Sequence, residues 1–441
     1  MAGARLAANV EASFAAIAAA FGFVPFVPRL VRAAFTSHGD RERTLAAIRE
    51  RLDSRPSEPP PAEPRALRVL LVAGEPSGDL HAADLASALL RAAPGTRIDG
   101  LGGPRMAAAG VHLSADLVSD PVMGVWPVVR RAPQFARLYR DVLLRLDTDP
   151  PDVVVGVDYP GLNLRLARAA RRRGVPFVLY VAPQVWAWAP WRAKRIARDV
   201  ARVLCILPFE EPLFRAWGGE AEYVGNPLFE HLLARPRDDA FRAALRAQGG
   251  PLVALLPGSR RSEVKANLPL EIEAAERIVL MHPTARFVIP LAAERLRPLV
   301  ESLRGDSVRT AIVPPEKSDD AMAAADAAIT VSGTATLHLA AHGVPAVAIY
   351  HASAAGRALA RVLVCSPFIA LPNLLAGDRI QPEFVAGDGD AGAIANACLA
   401  LMPGGPDRDA TIAALTRLRE RMTTSGVPDR AAAWVLATAR R

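Results

Sequence analysis

From Leu67 onward the chain repeats one pattern: a short, mostly apolar run, a turn, then a stretch whose apolar residues recur at helical spacing. The runs are "LRVLLVAG" (67–74), "DVVVGVD" (152–158), "PFVLYVA" (176–182) and "RVLCILP" (202–208), then "PLVALLPG" (251–258), "ARFVIPL" (285–291), "AAITVSG" (327–333) and "PAVAIY" (345–350). A strand apolar on both faces is buried on both faces, and strands separated by helices belong to parallel sheets. The two series meet near Glu222–Leu228. They predict an α/β fold of two doubly wound domains, at 67–225 and 226–404, with helices at 405–441 free by pattern to cross back to the first domain. In such sheets ligands bind beyond the carboxyl ends of the strands, so the residues after each run carry the interest.

Before Leu67 the pattern changes. Residues 1–54 read as a helical N-terminal extension, an apolar stretch at Ala12–Pro28 followed by a charged helix at Asp40–Ser54. Residues 55–66, "RPSEPPPAEPRA", read as an extended, semi-rigid linker. The Ala12–Pro28 stretch is too short and too proline-broken for a transmembrane helix, and it lacks the basic start and cleavage site of a signal peptide. It fits an interfacial hairpin or a docking helix.

Composition adds three constraints. With 441 residues, 51% of them hydrophobic, two cores are easily filled. The net charge of +8 comes almost wholly from arginine, since only Lys194, Lys265 and Lys317 are lysines. The arginines cluster at Val128–Leu146, Leu164–Gly174 and Trp191–Arg202, as solvated helix faces or as surfaces for nucleic acid, phosphorylated substrates or anionic lipid. Cys205, Cys365 and Cys398 have neither metal nor redox spacing, which points to a reducing compartment.

Four strand ends carry candidate chemistry. "AGEPSGD" (73–79) places Glu75, Ser77 and Asp79 in a strand-to-helix turn, where Ser77 and Asp79 suit helix capping. "VVVGVDYPGLN" (153–163) places Asp158 at the end of a buried strand, where desolvation suits a carboxylate to general-base work; capping of the next helix is the other use. "ALLPGSRRSEV" (254–264) offers backbone N–H groups after Gly258, at Ser259 and Arg260, and the Arg260 guanidinium to a phosphate. "TVSGTATLHLAAHG" (330–343) offers Ser332, Gly333, Thr334 and Ala335 at a second helix start. His338 and His342 have the spacing of paired metal ligands, but no HExxH and no third ligand accompany them. Trp186, Trp188 and Trp191, half of the six tryptophans, follow the strand at Pro176–Val181, where they either line a cleft or fill the core.

Taken in order, "AGEPSGD", "GGPRMAAAGV" (102–111), "PVMG" (121–124), "GVDYPGLN" (156–163), "YVAPQVWAW" (180–188), "LPFEEPLF" (207–214), "YVGNPL" (223–228), "LPGSRRSEV" (256–264), "SGTATLHLA" (332–340) and "LPNLLAGDRIQPEF" (371–384) closely resemble the lipid-A-disaccharide synthases. These are inverting glycosyltransferases of the GT-B fold, two Rossmann-like domains facing a cleft. The resemblance implies transfer from UDP-2,3-diacylglucosamine to 2,3-diacylglucosamine 1-phosphate, with release of UDP and no metal or other cofactor. It implies catalytic roles for Asp158, Glu75 and Asp79, and acceptor or cleft contacts from Ser77, Met123, Trp186 and Trp188. Donor contacts fall to Gly258, Ser259, Arg260, Ser332, Gly333, Thr334, Ala335, His338 and Asn373.

The same resemblance implies a peripheral enzyme on the cytoplasmic, anionic face of the inner membrane, with no nucleic-acid partner and room for a homodimer. The chain departs from the family pattern at Pro127 and His338, each where Glu is usual, and at Asn226, where His is frequent. Two other readings stay open at this level: a paralogous UDP-sugar transferase or epimerase with another substrate, and a noncatalytic UDP-sugar or lipid sensor.

Overall fold

The computed structural model describes residues 38–50, 55–61, 65–118, 125–188, 190–350, 364–385 and 390–439. They form two compact units, one within 1–227 and 425–441, the other within 228–424.

In the first unit, helix α1 (His38–Glu50) precedes a regular alternation. It runs β1 (Arg68–Ala73), α2 (Pro76–Ala92), β2 (Arg97–Gly102), α3 (Pro104–Ala108), β3 (His112–Asp116) and α4 (Val125–Thr148). Next come β4 (Val153–Val157), α5 (Pro160–Arg172), β5 (Phe177–Tyr180), α6 (Val185–Trp188) and α7 (Arg192–Asp199). β6 (Arg202–Cys205), α8 (Glu210–Ala216) and β7 (Ala221–Tyr223) complete it. The strands form one parallel sheet in the order β3-β2-β1-β4-β5-β6-β7. All five residues of β4 are buried, as expected of a central strand covered on both faces. The strand order reverses between β1 and β4, whose ends are level, Ala73 opposite Val157.

The second unit repeats the plan. Helix α9 (Pro227–Ala234) leads into it, followed by α10 (Asp239–Arg246), β8 (Leu252–Leu256), α11 (Arg261–Met281), β9 (Arg286–Pro290) and α12 (Arg297–Arg304). Then come β10 (Thr310–Val313), α13 (Ser318–Ala324), β11 (Ala327–Val331), α14 (Thr334–His342) and β12 (Ala346–Ile349). α15 (Leu371–Ala376), β13 (Glu383–Phe384), α16 (Ala391–Leu401) and α17 (Arg408–Met422) end it. Its parallel sheet runs β10-β9-β8-β11-β12-β13 and reverses between β8 and β11. Of the two C-terminal helices, α17 packs on α14 and α15. The last, α18 (Val427–Thr438), belongs to the first unit and packs on α2, burying Val427, Ala431, Ala432 and Val435.

The proline-rich stretch is more than a spacer. The Ser57 N–H donates to the Tyr223 carbonyl at 2.7 Å, so the chain is pinned to edge strand β7. The Ser57 hydroxyl donates to Glu211 at 3.0 Å, and the Trp434 indole donates to the Ser57 carbonyl at 3.4 Å. Ahead of it, α1 packs on α8, buries Thr44, Ala47 and Ile48, and lays the Arg43 guanidinium 4.7 Å from the Trp217 ring centre. An edge strand left open invites unwanted pairing, and this segment covers part of the edge. A bare sequence of prolines gives no sign of where they dock, which is why the stretch reads as an extended linker.

Candidate active site

Each unit places its sequence motifs at its own switch point, where doubly wound sheets bind ligands. In the first unit these are the ends of β1 and β4. Asp158 and Tyr159 follow β4 in left-handed conformations, φ 49° and 47°. Val181, just past β5, has φ 60°. Among the described residues these are the only non-glycine residues with positive φ, and such strain, of order 1–3 kcal/mol each, gathers at functional sites. The Asp158 N–H donates to the Tyr180 carbonyl at 2.9 Å, and the Asp158 carbonyl accepts from Asn163 Nδ2 at 2.7 Å. The Tyr159 ring lies over Gly74 so closely that a Cβ there would fall 2.4 Å from it; only glycine allows the contact.

Next to Gly74, Glu75 stands at the N-cap of α2 without using its side chain as a cap. Burial first, and the charge of Glu75 second, push the Asp158 carboxyl up from 3.8 to about 6. The same two causes raise the Tyr159 phenol. A carboxyl poised there is ionised at neutral pH yet basic enough to take a proton from a hydroxyl.

Other predicted first-unit residues have different work. Asp79 is 1% exposed and caps α3, not its own helix. Its oxygens accept the N–H groups of Gly103 at 2.9 Å, Arg105 at 3.0 Å and Met106 at 3.2 Å. With its oxygens held in that cap, Asp79 positions the β2–α3 turn. Ser77 is exposed in the first turn of α2 and does not cap it. Trp186 is core, not cleft wall: it is 4% exposed, meets Phe209 edge-on at 5.3 Å, and donates its indole N–H to Glu210 at 3.2 Å. Burial pushes the Glu210 carboxyl up to about 7, against the hydrogen bonds that stabilise its charge. Met123 and the side chain of Trp188 lie outside the described residues. Many of the clustered arginines are paired: Arg145 with Asp99, Arg173 with Asp147, Arg171 and Arg198 with Asp199, and Arg202 with Glu222.

In the second unit the switch-point turns follow β8 and β11. Gly258, φ 117°, faces Glu263, and a Cβ at Gly258 would fall 2.6 Å from that side chain. Glu263 Oε2 accepts the N–H groups of Ser259 at 2.9 Å and Arg260 at 3.2 Å, while Oε1 pairs with the Arg260 guanidinium at 2.7 Å. The donors expected to meet a phosphate therefore already hold an anion, the protein's own carboxylate. The signal for this was readable: a Glu three residues after the helix N-cap.

The turn after β11 is the open one. Gly333, φ 148°, caps α14; Thr334 is exposed and Ala335 half-buried at its first turn. The hydroxyls of Ser332 and Thr336 are used internally, toward the Ile369 and Gly333 carbonyls. The helix start itself thus presents N–H groups and the positive end of the helix dipole. His338 Nδ1 lies 3.1 Å from Asp319, which also pairs with Arg235. Burial lowers His342 to about 4 and keeps it neutral. Asn373, fully buried, is spent on structure: its amide joins Gln381 and Glu383, and Glu383 in turn holds the Ile369 and Ala370 N–H groups. It shapes the neighbouring loop.

The profile of the lipid-A-disaccharide synthetase family matches residues 69–425. The chain belongs to the lipid-A-disaccharide synthase family. It is a glycosyltransferase of lipid A biosynthesis, an enzyme whose substrates are a UDP-sugar and a lipid-linked sugar phosphate. The lipid-A-disaccharide synthase of Myxococcus xanthus is 38% identical over 370 residues, covering 84% of this chain and 97% of that protein. That of Anaeromyxobacter dehalogenans strain 2CP-1 is 39% identical over 378 residues, 85% of this chain and 98% of its own. S. aureus MnaA, solved with UDP, superposes with a TM-score of 0.58 at 12% identity over 82% of this chain and 94% of that one. That likeness supports the fold of two Rossmann-like domains alone. Helix α1 and the Ser57 segment precede the family match. Among the described residues no helix is long and apolar enough to cross a membrane.

Proposed function

We propose that this chain transfers the sugar of UDP-2,3-diacylglucosamine to 2,3-diacylglucosamine 1-phosphate with inversion, giving the β-1,6-linked disaccharide 1-phosphate and UDP. Asp158 takes the proton from the acceptor hydroxyl as that oxygen bonds to the anomeric carbon. The bond from the anomeric carbon to the UDP oxygen breaks in the same displacement. Glu75 keeps Asp158 basic through its charge. Charge on the departing diphosphate is met by the N-terminus of α14 at Gly333–Ala335 and by Arg260 once Glu263 yields it. Those cationic and dipolar groups supply what a bound metal would, so the reaction runs without one. The enzyme works at the cytoplasmic face of the inner membrane, where its lipid substrates lie, as a peripheral protein.

The observation that carries this reading is the Asp158 carboxyl, strained into place at the switch point and titrating at about 6. Purified protein incubated with both substrates and EDTA, followed by mass spectrometry, tests it. Disaccharide 1-phosphate and UDP in equal amounts are expected. UDP binding without product would move the assignment to another acceptor or to a sensor.

A further inference from the structure

Asn163 is the last residue of the "GVDYPGLN" motif, in the first turns of α5, and has no exposed surface. Its Nδ2 lies 2.7 Å from the Asp158 carbonyl, 3.4 Å from that of Val157 and 3.5 Å from that of Val72. Val72 is on β1 and Val157 on β4, so one amide gathers carbonyls from both strands that flank the switch point. The orientation is forced, because a flipped amide would set Oδ1 against three carbonyl oxygens. As it stands, Oδ1 is buried without a hydrogen-bond partner, an arrangement that a core chosen for stability alone would avoid. The sheet also makes room for it: a Cβ on Gly156 would fall 2.7 Å from the Asn163 side chain.

We propose that Asn163 is a positioning residue for the transfer, its amide clamping the carbonyl of Asp158 and the ends of β1 and β4 so that the Asp158 carboxylate is held toward the reacting hydroxyl. This rests on Asp158 being the base. The left-handed turn at Asp158 and Tyr159 takes the Asp158 carbonyl out of the strand ladder, and the Asn163 amide is the donor that meets it. Without that donor the turn can relax to an ordinary extended form and swing the carboxylate away. The second unit uses the same device. Asn267, in α11, donates from Nδ2 to the carbonyl of Pro257, just past β8, at 3.3 Å and to that of Glu263, one helical turn back, at 2.8 Å, and its Oδ1 is likewise buried and unpartnered.

A double-mutant cycle separates positioning from plain structural support. With the lipid substrates, Asn163→Ala is expected to lower kcat about 100-fold, the scale of a misplaced catalytic group, with KM for the UDP-sugar within about threefold of wild type. In an Asp158→Asn background, where no base remains to be positioned, the same substitution should cost nothing further. Should the alanine protein fail to fold, Asn163→Ser, which keeps a short donor, is read in the same cycle. Losses that multiply, or a single variant as fast as wild type, would overturn the proposal. Full turnover by Asp158→Asn alone would instead remove the base assignment, a result distinct from either.

Discussion

Replacing Asp158 by asparagine should lower turnover at least a hundredfold and, less obviously, stabilise the protein. A carboxyl held at about 6 instead of 3.8 costs the ionised form at most about 3 kcal/mol, at ~1.36 kcal/mol per pH step. Asp158 is only partly shielded from solvent, so ~1–2 kcal/mol is the expected amount. The sign follows from linkage. The folded state binds this proton more tightly than the unfolded state, so the wild-type protein loses the difference as pH rises from about 4 through about 6. The asparagine side chain has no proton to lose. Urea unfolding of both proteins followed by circular dichroism at pH 4 and pH 8 reads the effect directly. Near pH 4 the two should be equal; at pH 8 the variant should be more stable by ~1–2 kcal/mol. A variant that is less stable at pH 8, or a difference that does not change with pH, would refute the account of Asp158 as a strained, desolvated carboxylate.

Deleting residues 1–60 should destabilise the first unit by ~3 kcal/mol. Ile48 alone contributes ~1.5–3 kcal/mol by burial and the Ser57 hydrogen bond to the sheet edge about 1; a Tm drop of roughly 6–12 °C is expected by calorimetry. An unchanged Tm would return the segment to the status of a linker. Asp79→Asn sets an amide N–H against the Arg105 N–H and should cost ~1–3 kcal/mol, while turnover per folded molecule stays within about threefold. A large loss of kcat in folded protein would restore Asp79 to the chemistry. Gly333→Ala forces a side chain into φ 148° at the start of α14 and should weaken UDP binding at least tenfold by calorimetry, whereas unaltered affinity would move the diphosphate elsewhere.

The two doubly wound units were legible because every central strand is apolar on both faces, a pattern with few other solutions. The motifs were legible as strand-end turns for the same reason, and Asp158, Gly333 and Thr334 sit at switch points. What the residues did with their side chains was less legible, because side-chain partners come from distant parts of the chain. Asp79 lies in the turn motif by sequence but reaches a helix more than twenty residues on. Trp186 finds a buried acid from the "LPFEEPLF" motif, which turns an apparent cleft aromatic into core. Asn163 is not legible in the sequence because an asparagine inside a helical pattern gives no hint that three carbonyls converge on it. The Ser57 segment follows the same rule, since its anchors at Glu211, Tyr223 and Trp434 are known only once the sheet edge is built.

The central claim is that Asp158 is the base of a metal-independent transfer, and the dependence of kcat on pH tests it most directly. With both lipid substrates saturating and EDTA present, wild-type kcat should rise about tenfold per pH unit below about 6 and level off above it. Asp158→Asn should lie at least a hundredfold lower at pH 8 and show no such rise. A wild-type profile flat from pH 4.5 to 8, or an asparagine variant that follows the wild-type curve, would contradict it.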